Sequence, residues 1–351
     1  MIYLTYGLLT TSFFIVFLEI LLQIQGHRPW HSPVKNMKIE PENDFFSQDP
    51  VLGLKHNPGT FRVVISGTHS FSITHDEDAL RITRPVCSNR NGSLIPKEEI
   101  WVYGCSFTHG WSLNDDETYP WHLQMKLPDF RVCNFGMSGY STLQSLIQFR
   151  KALETKKKPK YVIVSYSCLH DKRNIFLRSW KKIIEPDKTV DDVEYPCGKI
   201  DMDGNLNYAS TSLAYKPFPV MNHSALMHYL EKRFNSMQEK YHKSHIVTRL
   251  VMEEFLKTCD QNGIKLLVAG LDDSAMTTNM LRYCKREGIS VAGIPVDLTD
   301  PENINVPHTY YPNARANKKY AERIAACIII NEKKIQKKKN RQLRMQATGM
   351  S

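Results

Sequence analysis

The sequence predicts an α/β body, a three-layer doubly wound parallel sheet of five strands, preceded by a transmembrane helix and a small β-rich extension. Three observations predict it. From residue 98 onward, short apolar runs of strand length alternate with amphipathic helical stretches, the pattern of parallel strands joined by crossover helices. Between residues 60 and 74 two period-2 runs flank a glycine turn. Between Ile2 and Ile24 only Glu19 is charged.

That first run is about 20 residues of apolar chain, enough for one bilayer crossing. A cleaved signal peptide fits less well, because no basic residue precedes the apolar core and no small-x-small site lies near Gln23 to Gly26. His27, Arg28, Lys35 and Lys38 follow the helix and, by the positive-inside rule, favour a cytoplasmic body. Residues 27–44 are polar and contain proline, as a linker does. Thr60 to Ile65 and Ser70 to Thr74, separated by Gly67-Thr68-His69, predict a hairpin. The extension therefore runs over 27–97, behind an anchor at 1–26.

The body is expected over 98–330, with strands at 99–103, 130–134, 161–166, 264–269 and 289–294. Helices are expected near 117–127, 141–155, 245–262, 274–286 and 313–333. In the third of these, Ile246, Leu250, Phe255 and Leu256 share a face, and Gly263 provides the stop. Residues 172–243 carry no clear period and are too long for a plain connection, which predicts an insertion beside the sheet edge. The remaining 331–351 form a basic tail.

A chain of 351 residues with 42% hydrophobic content has ample material for a core, which excludes a disordered class. The net charge of +10 comes largely from Lys156–Lys160 and the lysine-rich tail, without interleaved aromatics, so nucleic acid is not expected as a partner. The eight cysteines include no CxxC pair, so neither a zinc site nor a redox dithiol is expected, and no cofactor is implied. Asn91-Gly92-Ser93 and Asn222-His223-Ser224 are glycosylation sequons, relevant only to a lumenal body in a eukaryotic host.

The chemistry concentrates at strand ends. Trp101-Val102-Tyr103-Gly104-Cys105-Ser106 runs from an apolar strand into a turn whose serine is flanked by Gly104 and Gly110. Asn134-Phe135-Gly136-Met137-Ser138-Gly139 ends the second strand in another glycine-bearing turn, where backbone N–H groups can face an anion. The third strand runs into Ser167-Cys168-Leu169-His170-Asp171, and a loop after the fifth carries Pro307-His308-Thr309-Tyr310-Tyr311-Pro312-Asn313. Ligands in open α/β sheets bind beyond such ends.

On these blocks the sequence resembles the SGNH (GDSL-like) hydrolases, most closely a membrane-anchored bacterial branch related to polysaccharide O-acetyl esterases and acetyltransferases, over roughly 98–170 and 264–326. The resemblance implies the flavodoxin-like SGNH fold and a serine esterase or acyltransferase acting on an acylated glycan or lipid. Ser106 matches the nucleophile, and Asn134, Gly136, Ser138, Gly139 and Thr142 match the second block, with Gly139 at the oxyanion-hole position. His170 stands where the family has its oxyanion-hole asparagine, and an imidazole N–H can donate in its place. The last block departs further: Thr309 and Tyr311 occupy the acid and base columns, with Pro312-Asn313 intact.

A serine hydroxyl needs a neighbouring base. His308 is three residues from the base column and is the candidate, with Asp297, Asp300 or Glu302 as orienting acid; His109 and His170 are the alternatives. Tyr310 and Tyr311 also allow a second reading, a degenerate pocket that binds carbohydrate or lipid without hydrolysis. The family resemblance places the body outside the cytoplasm, against the charge rule.

Overall fold

The computed structural model describes residues 2–31, 37–42, 44–85, 98–184 and 193–347; Cys87 and the sequon at Asn91 lie outside them. An apolar helix, α1 (Ile2–Ile24), comes first. The extension contributes β1 (Met37–Glu40), β2 (Phe46–Asp49), β3 (Gly53–His56), β4 (Gly59–Ile65) and β5 (His69–His75). The body opens with β6 (Glu98–Tyr103), the single turn α2 (Ser106–His109), α3 (Tyr119–Lys126), β7 (Phe130–Asn134), α4 (Thr142–Thr155) and β8 (Tyr161–Tyr166). Next come α5 (Leu169–Asn174), α6 (Arg178–Ile184), β9 (Glu194–Ile200), β10 (Leu206–Ser212) and α7 (Ala225–Tyr241). The chain closes with α8 (Ser244–Gln261), β11 (Lys265–Gly270), α9 (Ala275–Arg286), β12 (Ser290–Gly293) and α10 (Ala314–Ala347).

Five strands form one parallel sheet in the order β12-β11-β8-β6-β7. Numbered along the body this is 2-1-3-4-5, the flavodoxin-like doubly wound order, and β6 and β8 lie at its centre. Both faces of the central strands are buried, which is why they read as near-continuous apolar runs. One face, with Trp101, Tyr103, Val162, Val164 and Val268, packs on residues of α4, α8 and α9. The other, with Ile100, Val102, Ile163, Leu267 and Ala269, packs on α3 and α10.

The hairpin expected over 60–74 is present as β4 and β5, joined by β1 into a three-stranded antiparallel sheet. A second hairpin, β2–β3, lies beside it where only linker and unassigned chain were expected. The buried face of α8 is Val247, Val251, Met252, Phe255 and Cys259, with Ile246 and Leu250 only half-buried, so the apolar stripe sits one residue from the face assigned by sequence. The last helix runs unbroken to Ala347, so the basic tail is helical through that residue. All described cysteines are free thiols.

The segment 172–243 forms α6, the hairpin β9–β10 and α7, and it receives the N-terminal helix. Glu19, the single charge of that helix, accepts hydrogen bonds from the Ser224 hydroxyl (2.7 Å) and from the Ala225 and Leu226 N–H groups (2.8 and 2.9 Å). A carboxylate at the start of α7 satisfies orphan amide donors and favours the helix dipole. The Trp30 N–H donates to the Met221 carbonyl at 3.0 Å, just beyond. Thr5–Ile24 is long and apolar enough to cross a membrane, and Thr5 through Phe17 project clear of the body.

Candidate active site

The end of β6 delivers Ser106. After Tyr103 the chain turns at Gly104, and α2 makes a single turn closed by the Gly110 N–H donating to the Ser106 carbonyl at 2.9 Å. Gly110 has φ +87°, and a Cβ there would collide with Thr118, so both conformation and space demand glycine. Ser106 is 4% exposed, and no described residue hydrogen-bonds its hydroxyl.

The turn after β7 is fastened directly to α2. Asn134 donates through Nδ2 to the Thr108 carbonyl (3.0 Å) and accepts from the Gly136 N–H through Oδ1 (2.9 Å). The Met137 N–H reaches the Gly104 carbonyl at 3.0 Å. Gly136 lies so close that a Cβ would meet the His109 amide nitrogen and come within 2.7 Å of the Thr108 carbonyl carbon. Gly139 follows at φ +87°, with Trp180 of α6 alongside and the Arg173 guanidinium 4.1 Å from the indole centre. None of the described hydrogen bonds uses the Gly139 N–H.

After β8, His170 is buried, and its Nδ1 accepts from the Ser167 N–H at 3.4 Å. The proton of the neutral ring therefore sits on Nε2, which is buried without a partner. Burial, aided by the Arg173 charge, pulls its pKa down to about 3, so the ring is a neutral donor at physiological pH. Asp171 beside it accepts from Tyr166 (2.9 Å) and Thr248 (2.8 Å), and Asn174 ties Thr142, the Leu143 N–H and Thr248 together.

The last loop places its residues differently. His308 Nδ1 lies 3.2 Å from the Thr68 hydroxyl, and its ring stacks on His69 with centroids 5.2 Å apart. Asp297 accepts from Thr299 and Asp300 from the Glu302 N–H, so each serves its own turn, while Glu302 pairs with Arg315. No described hydrogen bond joins His308 to Ser106 or to either aspartate. Thr309 pairs with Ser112 at 3.0 Å, and Tyr311 sets its ring edge-on to Phe107, the residue after Ser106. Tyr310 is exposed.

His109 points away from the sheet edge into the extension. Its Nε2 is 2.9 Å from His75 Nε2, its Nδ1 is 3.5 Å from the Ser138 hydroxyl, and His56 lies against both rings. Burial holds the pKa of His56 and His109 well below the ordinary value and brings His75 to about 4. His56 and His75 were not singled out from the sequence, although a signal existed: His75 shares the parity of the inward-facing Phe71 and Ile73 on β5. Arg81 was missed as well. Its buried guanidinium donates to the carbonyls of His109 (2.9 Å), Gly110 (2.5 Å), Leu113 (2.7 Å) and Ser72 (3.2 Å) and to Asp115 (2.9 Å). The turn carrying Ser106 is thus held from β7 on one side and from the extension on the other. Two cavities of about 300 Å³ and 320 Å³ lie elsewhere, one near Ser112, Asn305 and Arg315, the other in the insertion near Arg178, Lys181 and His242.

The chain is similar to several solved hydrolase structures. One is LAE5, an alpha/beta hydrolase from the metagenome of Lake Arreo, at 12% identity over 66% of this chain and 94% of that one, TM-score 0.37. Others are a putative lipolytic protein of the G-D-S-L family from Desulfitobacterium hafniense (14%, covering 65% and 98%, TM-score 0.33) and AlinE4, a SGNH-hydrolase family esterase (15%, covering 67% and 96%, TM-score 0.34). No family model matches the chain. No curated protein matches it.

Proposed function

We propose that the chain is a membrane-anchored, SGNH-like serine esterase or acyltransferase that forms an acyl-enzyme on Ser106, taking an acylated, for instance O-acetylated, glycan or a lipid as substrate. The observation that supports this reading is that Ser106, on a glycine-flanked turn at the C-terminal end of a central parallel strand, and His170, with a buried, unpartnered Nε2–H, both follow the C-terminal ends of strands that neighbour each other in the sheet. The N–H groups of Ser106 and Gly139, with His170, are the donors for the oxyanion of a tetrahedral intermediate. His308 is the base in this reading. It reaches Ser106 when its loop releases the Thr68 contact, and Asp297 or Asp300 then orients it. The N-terminal helix anchors the enzyme with its body outside the cytoplasm, where envelope polymers lie.

A second reading rests on a specific observation, that Tyr311 and not an imidazole stands against Phe107 in the base column. Neutral tyrosine is a poor base at pH 7, so the site would hold a glycan or lipid without cleaving it. A fluorophosphonate probe on the purified full-length protein separates the two. The esterase reading expects labelling and aryl-acetate hydrolysis that both vanish in Ser106→Ala, with a large loss in His308→Gln. Absence of serine-dependent labelling in folded protein would overturn it in favour of the binding reading.

A further inference from the structure

We propose that His56, His75 and His109 form a site for one zinc-type divalent metal ion, which fastens the β-rich extension to the turn carrying Ser106. The three histidines come from three separate elements, the ends of β3 and β5 and the last residue of α2. One ring nitrogen of each lies within 4.8 Å of the other two, and all three side chains are buried. Three imidazole nitrogens on a tetrahedral ion, each at about 2.0–2.1 Å, stand about 3.3 Å apart. The 2.9 Å between His75 Nε2 and His109 Nε2 and the 4.8 Å outer limit bracket that spacing. His56 stacks on His75 with centroids 4.5 Å apart and lies 4.2 Å from the His109 ring, so metal binding requires the His56 ring to turn out of that stack and aim a nitrogen lone pair at the ion.

The hydrogen bonds around the cluster point inward in the same way. His75 Nδ1 is 2.8 Å from the Asn57 carbonyl, which can only accept, so Nδ1 carries the proton and Nε2 presents its lone pair to the cluster. A carbonyl on the far nitrogen is the usual support of a metal-bound histidine. His109 Nδ1 meets the Ser138 hydroxyl at 3.5 Å, leaving its Nε2 for the same centre. His75 and His109 can share one proton across their 2.9 Å contact, but His56 Nε2 is buried with no hydrogen-bond partner, a cost that a metal bond there would remove.

The donor set selects the ion. Three neutral imidazoles without carboxylate or thiolate suit zinc and its first-row neighbours and are a poor match for magnesium or calcium. Phe45 lies against all three rings and Trp111 against His109, so the site is walled by aromatics, as a structural site is. The nearby positive charge of Arg81 is countered by Asp115 at 2.9 Å, and its N–H groups are committed to Asp115 and to backbone carbonyls. The ion's role is positional: through His109 it reaches the helix turn of Ser106, and through Ser138 it reaches the turn of Gly139.

The test uses the full-length protein in detergent, purified on a tag free of histidine. The expected results are about one equivalent of zinc per chain by elemental analysis, a tetrahedral cobalt(II) absorption spectrum after exchange, and a melting temperature that falls on chelation and recovers with added zinc. His56→Gln and His75→Gln are each expected to lose at least tenfold in bound metal. Folded wild-type protein that takes up neither zinc nor cobalt and melts identically with chelator or zinc overturns the proposal. So does metal retained at full occupancy by both variants, which would place it elsewhere. Should the variants fail to fold, the cobalt spectrum and zinc-dependent melting of the wild type decide the matter alone.

Discussion

Replacing Arg81 by methionine tests whether the extension holds the Ser106 turn. Methionine keeps the length and apolar stem of the side chain and removes the guanidinium. The structure gives the loss in two ways. By contacts, three buried carbonyls, those of His109, Gly110 and Leu113, lose their donor, at about 1 kcal/mol each. By charge, breaking a buried pair costs about 3–5 kcal/mol, and the lower end applies because the Asp115 side chain is 16% exposed. Both routes give about 3 kcal/mol, a large share of a typical stability of about 5–15 kcal/mol. At roughly 2 °C per kcal/mol for a large domain, the melting temperature should fall by about 6 °C or more. Calorimetry in detergent measures the shift, and fluorophosphonate labelling of Ser106 reports on the turn itself. The Arg81→Lys variant, which keeps the charge but cannot fork to several carbonyls, should fall between. A methionine variant that melts within about 2 °C of wild type would refute the reasoning, since it would mean that desolvating the guanidinium costs as much as its contacts return.

Two further predictions concern parts of the molecule away from that pair. Glu19→Ala removes the acceptor of three hydrogen bonds at the start of α7; by the usual worth of a cap, about 1–2 kcal/mol, cleavage of the 215–243 segment by protease in detergent should speed up roughly tenfold, and an unchanged rate would show that the helix is held some other way. His170 has a folded pKa of about 3 against about 6.5 unfolded, so the unfolded state takes up its proton first as pH falls. Its contribution is complete above pH 6.5 and is lost progressively below it, by about 1.4 kcal/mol per pH unit, or about 2 kcal/mol between pH 6.5 and 5. Denaturant midpoints at those two values should therefore diverge less in His170→Gln than in wild type, and equal divergence would sink the assignment of a neutral buried ring.

The sheet was legible because its strands are buried on both faces and its helices carry a 3.6 period, two signals written locally in the chain. The positions of Ser106, Gly139 and His170 were legible for a related reason, since strand ends on one edge of a doubly wound sheet converge whatever the side chains are. Partners contributed across long separations were not. Glu19 looked like an isolated charge in an apolar helix until Ser224 was found opposite it, 205 residues away. His308 lies near the base column in sequence, but hydrogen-bonds Thr68 in the β4–β5 turn, a contact that no periodicity encodes. The face of α8 was misjudged by one position because Ile246 and Leu250 are apolar yet only half-buried, while the polar Thr248 is buried by its bond to Asp171.

The same distinction explains why the extension matters to the site. A parallel sheet fixes where β6 ends, but the direction of the hydroxyl beyond it depends on a single helical turn, too short to be stable by itself. Three ties converge on that turn: the Asn134 side chain from β7, the Arg81 guanidinium after β5, and the histidine cluster through His109. Two of the three come from residues 45–85, outside the α/β body. The extension is therefore better understood as the back wall of the Ser106 turn than as a spacer before the α/β body, and cutting it away should leave the five-stranded sheet with its strand order but without a fixed Ser106 turn.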